Sequence, residues 1–295
     1  MLVRVSATAV NRADLDYLKG WPTIARLATG LREPSIRRLG SDVAGVVEAV
    51  GGEVSRFRPG DEVFGDLTNH GFGTFAEFVC APERAFARKP AGLTIEESAA
   101  LAWGGVMALQ AVNARRPTRP GDRVLVNGAS GTVGPFAVQI AKALGAEVTG
   151  VSSTAKLDFV RSLGADHVLD YTRDEALKGG GPWDRIIDVA AHHSVLAYRR
   201  VMRPGGVYIW LGGTVTSLLQ SLAMGHVVRL ATGRDTRFWP GWRPFREDDV
   251  ANLVKLVESG AVRPVIDRTY PLAETAEALR YVDEGNARGK VVIVV

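Results

Sequence analysis

The stretch that constrains this chain most is Arg123–Gly134, RVLVNGASGTVG. Val124-Leu125-Val126 is a short apolar, β-branched run, the pattern of a buried strand. A glycine turn follows at once, Ala129-Ser130-Gly131-Thr132-Val133-Gly134, and then Phe136, Val138, Ile140, Ala141 and Leu144 recur at helical spacing. Strand, tight turn and helix in that order form the context of a dinucleotide-binding fingerprint. Gly131 lets a pyrophosphate approach the backbone, and Gly134 lets the helix pack close to the strand. The helix N-terminus then offers free N–H groups and the positive end of its dipole to phosphates. The first glycine of the usual G-x-G-x-x-G is Ala129 here.

The pattern after this unit alternates between strand and helix. Glu147–Val151, His167–Asp170, Ile186–Val189 and Val207–Leu211 read as strands. Ala155–Leu163 and Val195–Met202 read as helices, stopped by Gly164 and by Pro204-Gly205-Gly206. Repeated β-α units imply a parallel sheet with helices on both faces and a ligand at the strand C-termini. Upstream the rhythm is different. Leu2–Val10, Val46–Val50, Glu62–Phe64 and Thr74–Cys80 read as short strands between glycine turns, as in a β-rich, barrel-like domain. Asn11-Arg12-Ala13-Asp14 opens a short helix that ends at Gly20. Thr94 and Glu97 form a capping box for a helical segment to Asn113, in which Gly104-Gly105 reads as a break.

Towards the C-terminus, Val215–Ala231 reads as a helix, and Asp248–Ser259 as an amphipathic helix with Leu253, Val254, Leu256 and Val257 inward. Val265–Tyr270 reads as a strand, Leu272–Glu284 as a helix and Lys290–Val295 as a final strand. The fold class is therefore α/β, with expected divisions at 1–104, 105–245 and 246–295, the last returning to the first. Residues 21–40 are irregular. Phe238, Trp239, Trp242 and Phe245 cluster among arginines, as a pocket lining, a membrane-surface contact, or plain packing and a subunit edge.

The 295 residues leave room for two domains, and 46% hydrophobic with 23% charged residues is ordinary globular composition. No apolar run approaches the roughly 18–20 residues of a membrane span, and the N-terminus lacks a signal-peptide layout, so a cytoplasmic protein is expected. The scattered Lys and Arg behind the net charge of +4 argue against nucleic-acid binding. Cys80 is the one cysteine, and His70, His167, His192, His193 and His226 show no spacing suited to metal ligands, so no metal site is expected. An NAD-type site places Asp or Glu on the ribose diol about 20 residues past the first glycine. Gly150-Val151-Ser152-Ser153-Thr154-Ala155-Lys156 stands there instead. Small hydroxyls and a lysine suit a 2′-phosphate.

Further stretches join these: Val10-Asn11-Arg12-Ala13-Asp14, GSDVAGVVEAVG at 40–51, RFRPGDEVFG at 56–65, GTFAEFV at 73–79, SLGADHVLDY at 162–171 and GNARGKVVIVV at 285–295. With the glycine turn they make the chain resemble the zinc-free medium-chain dehydrogenase/reductases, in the quinone oxidoreductase-like, NADPH-dependent branch. The resemblance runs over nearly the whole chain. It implies a GroES-like β-rich catalytic domain, a Rossmann domain with the active cleft between them, NADP(H) as cofactor, and a homodimer. Hydride would pass, without a metal, to a quinone or enone. Asn11 and Tyr17 are the candidate donors to the developing oxyanion, with packing as the alternative for Tyr17. Ser130, Gly131, Thr132 and Val133 would hold pyrophosphate and ribose. Ser153, Lys156 and Tyr171 would take the 2′-phosphate, with a solvated helix face as the alternative for Lys156, and Thr154 would be a further cofactor contact.

The remaining cofactor contacts fall to Asn11 and Gly212 near the nicotinamide, Ala190 beside the adenosine or ribose, and Arg288 and Lys290 from the C-terminal segment. The chain departs from its relatives in three places. It begins without the strand hairpin usual before the segment equivalent to Leu2–Val10. It has Met107 where many carry threonine, and Asp16 where several carry tyrosine or lysine. An acyl-chain enoyl reductase and a non-catalytic NADPH-binding protein are the alternative readings.

Overall fold

The computed structural model describes residues 1–21, 37–173, 180–235, 243 and 245–295. The chain opens with β1 (Leu2–Val10), α1 (Arg12–Lys19), β2 (Asp42–Ala49), β3 (Glu62–Asp66), β4 (Phe78–Cys80) and β5 (Phe86–Arg88). The long helix α2 (Ile95–Asn113) leads to β6 (Arg123–Asn127), α3 (Gly134–Ala143), β7 (Glu147–Ser152), α4 (Leu157–Ser162) and β8 (His167–Asp170). Then come β9 (Trp183–Asp188), α5 (Val195–Arg200), β10 (Met202–Trp210) and α6 (Val215–Thr232). The chain closes with α7 (Glu247–Glu258), β11 (Ile266–Pro271), α8 (Thr275–Asp283) and β12 (Lys290–Val294). No helix of the described residues is long and apolar enough to cross a membrane.

Two compact units result. Unit 1 comprises Met1–Val106, Arg243–Gly260 and Pro264–Val295; unit 2 comprises Met107–Trp242 and Ala261–Arg263. In unit 1 the strand order is β11-β12-β1-β2-β3-β5. One edge of β1 is shared: its first residues pair with β4, and Ala7–Val10 pair antiparallel with β12, Val10 opposite Val291. Alternating apolar residues of these strands, Val3, Val5, Val43, Val47, Val63 and Phe86, form one core. Val10, Leu15, Leu279, Val282, Val291 and Ile293 form a second under α8.

Local details depart from the sequence reading. Only Phe78–Cys80 of the expected strand Thr74–Cys80 is strand. The Thr74 and Phe75 amides instead bond the carbonyls of Gly40 and Leu39, and the buried Thr74 hydroxyl meets that of Thr8 at 2.8 Å. The Gly104-Gly105 pair does not break α2. A Cβ at Gly105 would stand 2.7 Å from Leu253 Cδ2, so glycine serves the close approach of α7. The capping box is present, with Thr94 N–H on Glu97 and Glu97 N–H on Thr94 Oγ1. The expected helix Ala155–Leu163 opens as a 3₁₀ turn, Thr154–Lys156, and Leu272–Glu284 likewise begins with the 3₁₀ turn Leu272–Glu274. Pro204-Gly205-Gly206 lies inside β10, where the register on β9 jumps between Met202 and Val207. Phe238, Trp239 and Trp242 lie outside the described residues, as do 22–36. Phe245 packs edge-on against Phe64 at 5.4 Å.

Unit 2 is a parallel sheet of order β10-β9-β6-β7-β8, as the strand–helix alternation predicts. Its core gathers Leu125, Val151, Trp183, Ile186, Tyr198, Met202 and Tyr208. Sequence patterning misses Arg185, an arginine wholly buried within β9. A helix end leaves carbonyls without partners. The Arg185 guanidinium supplies them, donating to Ala111 O (2.9 Å), Ala114 O (3.0 Å) and Arg116 O at the end of α2. Burial pulls its pKa down to about 10, and it stays charged. Arg185→Met should strand these carbonyls and lower unfolding stability by about 2–4 kcal/mol in a denaturant titration, with Arg185→Lys recovering only part.

Candidate functional site

A parallel sheet offers its ligand crevice where consecutive connections leave in opposite directions. Here that point lies between β6, which leads to β7 and β8, and β9, which leads to β10. Asn127 ends β6. Gly128 then takes φ +81°, and the N–H groups of Gly128 and Ala129 both donate to Val151 O, at 3.2 and 3.0 Å. The left-handed residue of the turn is therefore Gly128, one before the Ala129 at which the fingerprint was aligned. The Asn-Gly dipeptide was the available signal. A Cβ at Gly134 would stand 2.2 Å from Gly128 O, so α3 begins directly on the turn. A Cβ at Gly131 would meet only Gly128 O, at 3.6 Å, which leaves open space there for a ligand. Ser130 Oγ meets Ser152 Oγ at 2.7 Å and ties the turn to the end of β7. Thr132 is half-buried and Val133 buried at the start of α3.

The other expected cofactor residues of unit 2 follow the remaining strand ends. After β7, Ser153 leads into the turn Thr154–Lys156, and the Lys156 N–H donates to Ser153 O at 2.9 Å. After β8 the exposed Tyr171 donates its N–H to Ser152 O at 3.2 Å. Between them lies Asp170, whose place here depends on the pairing of β8 with β7 and on no local motif. Its carboxylate accepts from Thr154 Oγ1 (2.5 Å), Thr172 N–H (2.9 Å) and Thr172 Oγ1 (2.6 Å), and those hydroxyls hold it below the usual carboxylate range.

Across the switch point, Asn127 Nδ2 donates to Asp188 Oδ1 (2.7 Å) and Ala190 O (3.1 Å), and the Tyr208 hydroxyl donates to Asp188 Oδ2 (3.0 Å). Burial pushes the Asp188 carboxyl up to about 6. The Gly212 N–H donates to Asp188 O at 3.3 Å, and the Ala191 N–H to Gly212 O at 2.9 Å. Ala190 and Gly212 thus share one anchored corner.

Asn11 and Lys290 belong to unit 1, where the structure brings them onto each other. The Lys290 ammonium, 1% exposed, donates to Asn11 Oδ1 (2.6 Å) and Asp42 Oδ2 (2.8 Å). Asn11 Nδ2 donates to Asp42 Oδ2 (2.9 Å) and Ser41 Oγ (3.3 Å). Asp14 accepts the N–H groups of Asn11 and Gly40, and Asp66 accepts the N–H and the hydroxyl of Thr68. Burial pushes Asp14 and Asp66 each up to about 7, and raises Asp42 against the pull of Lys290. Tyr17 is half-buried, edge-on to Phe72 at 4.8 Å. Arg288 is exposed, its N–H on Asp267 Oδ2 at 3.1 Å. Met107 is buried, and Asp16 pairs with Arg12 at 3.4 Å.

Residues 1–91 match the family model of the alcohol dehydrogenase GroES-like domain, and residues 163–293 that of the zinc-binding dehydrogenases. The human mitochondrial NAD(P)H oxidoreductase RTN4IP1 is 34% identical over 99% of this chain and 81% of its own length. The trans-enoyl reductase pgmF of Aspergillus terreus is 31% identical over 99% and 85%. The solved quinone oxidoreductase of Coxiella burnetii superposes with a TM-score of 0.85 at 28% identity, covering 100% of this chain and 90% of that one. The expected α/β fold, a GroES-like domain with a Rossmann sheet, is borne out. Zinc needs three or four N, S or O ligands at close range. No group of three or more His, Cys, Asp or Glu among the described residues is placed to hold a metal ion, Cys80 is exposed, and Asn11 and Asp42 are engaged by Lys290. These residues do not fit zinc.

A carboxyl with a raised folded-state pKa binds its proton more tightly folded than unfolded. Asp66 therefore lowers stability as pH rises from its ordinary 3.8 to about 7, and levels off above that. Asp66→Asn, whose amide oxygen still accepts from Thr68, should raise the melting temperature at about pH 8 by a few degrees and leave it near wild type at about pH 4.

Proposed function

The chain belongs to the medium-chain dehydrogenase/reductase family, and we propose that within it this protein is a metal-free reductase that delivers hydride from NADPH to a quinone or an α,β-unsaturated carbonyl. When bound, the nicotinamide supplies the hydride. The residues of unit 2 fit such a dinucleotide. The amides of the Gly128–Gly134 turn and the start of α3 suit the pyrophosphate, and Gly131 leaves room for its approach.

The observation that carries NADPH over NADH is the end of β7. An NAD-type acid would face the ribose diol from there. Ser152, Ser153 and Thr154 stand at that strand end instead, with Lys156 closing the turn. Ser153, Lys156 and Tyr171 are the residues we assign to a 2′-phosphate.

The acceptor class rests on chemistry and on the names of the relatives, an enoyl reductase and a quinone oxidoreductase among them. In a conjugated acceptor the negative charge develops on an oxygen, where one hydrogen-bond donor stabilises it without a Lewis acid. Because the Asn11 amide is committed to Lys290, Asp42 and Ser41, we give the donor role to the Tyr17 hydroxyl and to Asn11 the fixing of the start of α1.

NADPH consumption with 1,4-benzoquinone, 9,10-phenanthrenequinone and 2-alkenals tests the reading. Turnover on at least one is expected, and tight NADPH binding with no turnover on any would mark a non-catalytic protein. Lys156→Ala should raise KM for NADPH about tenfold or more and change KM for NADH little; equal effects would refute the 2′-phosphate assignment.

A further inference from the structure

The parallel ladder of β7 and β8 ends at the pair Ser152 and Asp170. Beyond it the two chains diverge, one into Ser153 and the Thr154–Lys156 turn, the other into Tyr171 and Thr172. The Tyr171 N–H on Ser152 O, at 3.2 Å, is one tie between them. The Asp170 side chain, 6% exposed, is another. One oxygen takes the Thr154 hydroxyl at 2.5 Å, and the other takes the N–H and hydroxyl of Thr172 at 2.9 and 2.6 Å. The two threonine hydroxyls also lie 3.1 Å apart.

We propose that Asp170 is a positioning residue for a 2′-phosphorylated nucleotide: its carboxylate clamps the segment after β8 to the turn after β7, so that Ser153, Lys156 and Tyr171 form one cradle. This rests on the NADPH reading above. The clamp sets a negative charge beside a corner meant for a phosphate. The charge is turned inward onto threonine donors, which also keep it ionised, and Arg173 Nε stands 3.8 Å from one of its oxygens. Geometry and charge can be separated by substitution. An asparagine keeps an oxygen for Thr172 and offers its amide to the Thr154 hydroxyl, which can accept as well as donate. Asp170→Asn therefore keeps the clamp and removes the charge, and Asp170→Ala removes both.

The test is calorimetric titration of the full chain with 2′,5′-ADP and 5′-AMP, together with hydrogen exchange of the ligand-free protein. Asp170→Ala should weaken 2′,5′-ADP about tenfold and leave 5′-AMP within about twofold. Asp170→Asn should bind 2′,5′-ADP at least as tightly as wild type. The amides of Lys156 and Tyr171 should exchange faster in the alanine variant and at the wild-type rate in the asparagine variant. Equal weakening of both nucleotides by Asp170→Ala, or unchanged exchange at those amides, overturns the proposal. If the wild-type protein shows no preference for 2′,5′-ADP over 5′-AMP, the NADPH reading fails instead, and the exchange data alone decide whether Asp170 clamps the corner.

Discussion

The ion pair of Lys290 with Asp42, both almost without solvent contact, is the constraint around which unit 1 is arranged. Moving an ammonium and a carboxylate out of water costs several kcal/mol per ion, and only close, well-directed partners offset it. Asn11 provides the third corner, giving its oxygen to Lys290 and its amide to Asp42. These residues stand at the end of β1, the start of β2 and the start of β12. The cluster closes only when β1 lies between the two other strands in one register. A slip of one residue would turn Lys290 to the opposite face and leave its charge unpaired. The cluster thus contributes specificity of register more than net stability. Burial, with the nearby Asp42 carboxylate as a smaller contribution, raises the proton affinity of Asp14 and Asp66 and makes that part of the unit sensitive to pH.

Unit 2 handles charge in the opposite sense. Its acids at the strand ends are drawn inward, Asp188 by Asn127 and Tyr208, Asp170 by Thr154 and Thr172. That edge also carries a turn of backbone amides, the N-terminus of α3, small hydroxyls and Lys156. Such an edge favours an anionic ligand by fixed dipoles that need no rearrangement on binding. The same logic runs through Arg185, whose guanidinium is turned onto carbonyls at the end of α2 and adds no charge to the surface.

Much of this was legible in the amino-acid order, because strands, turns and caps are set over a few residues. The β-branched run before Gly128, the helical spacing after Gly134, the Thr94–Glu97 box and the alternation of strand and helix each follow from local sterics or periodicity. They fixed the parallel sheet, and with it the strand ends on which Ser130, Ser153, Tyr171, Ala190 and Gly212 sit. The fold decided what depends on distant partners. Lys290 finds Asn11 across 279 positions, and Thr154 finds Asp170 only because β7 and β8 pair. Gly104-Gly105 reads as a break until Leu253 is seen against it. A single sequence carries no signal for such contacts, since which buried charge meets which partner is set by strand order and register in three dimensions.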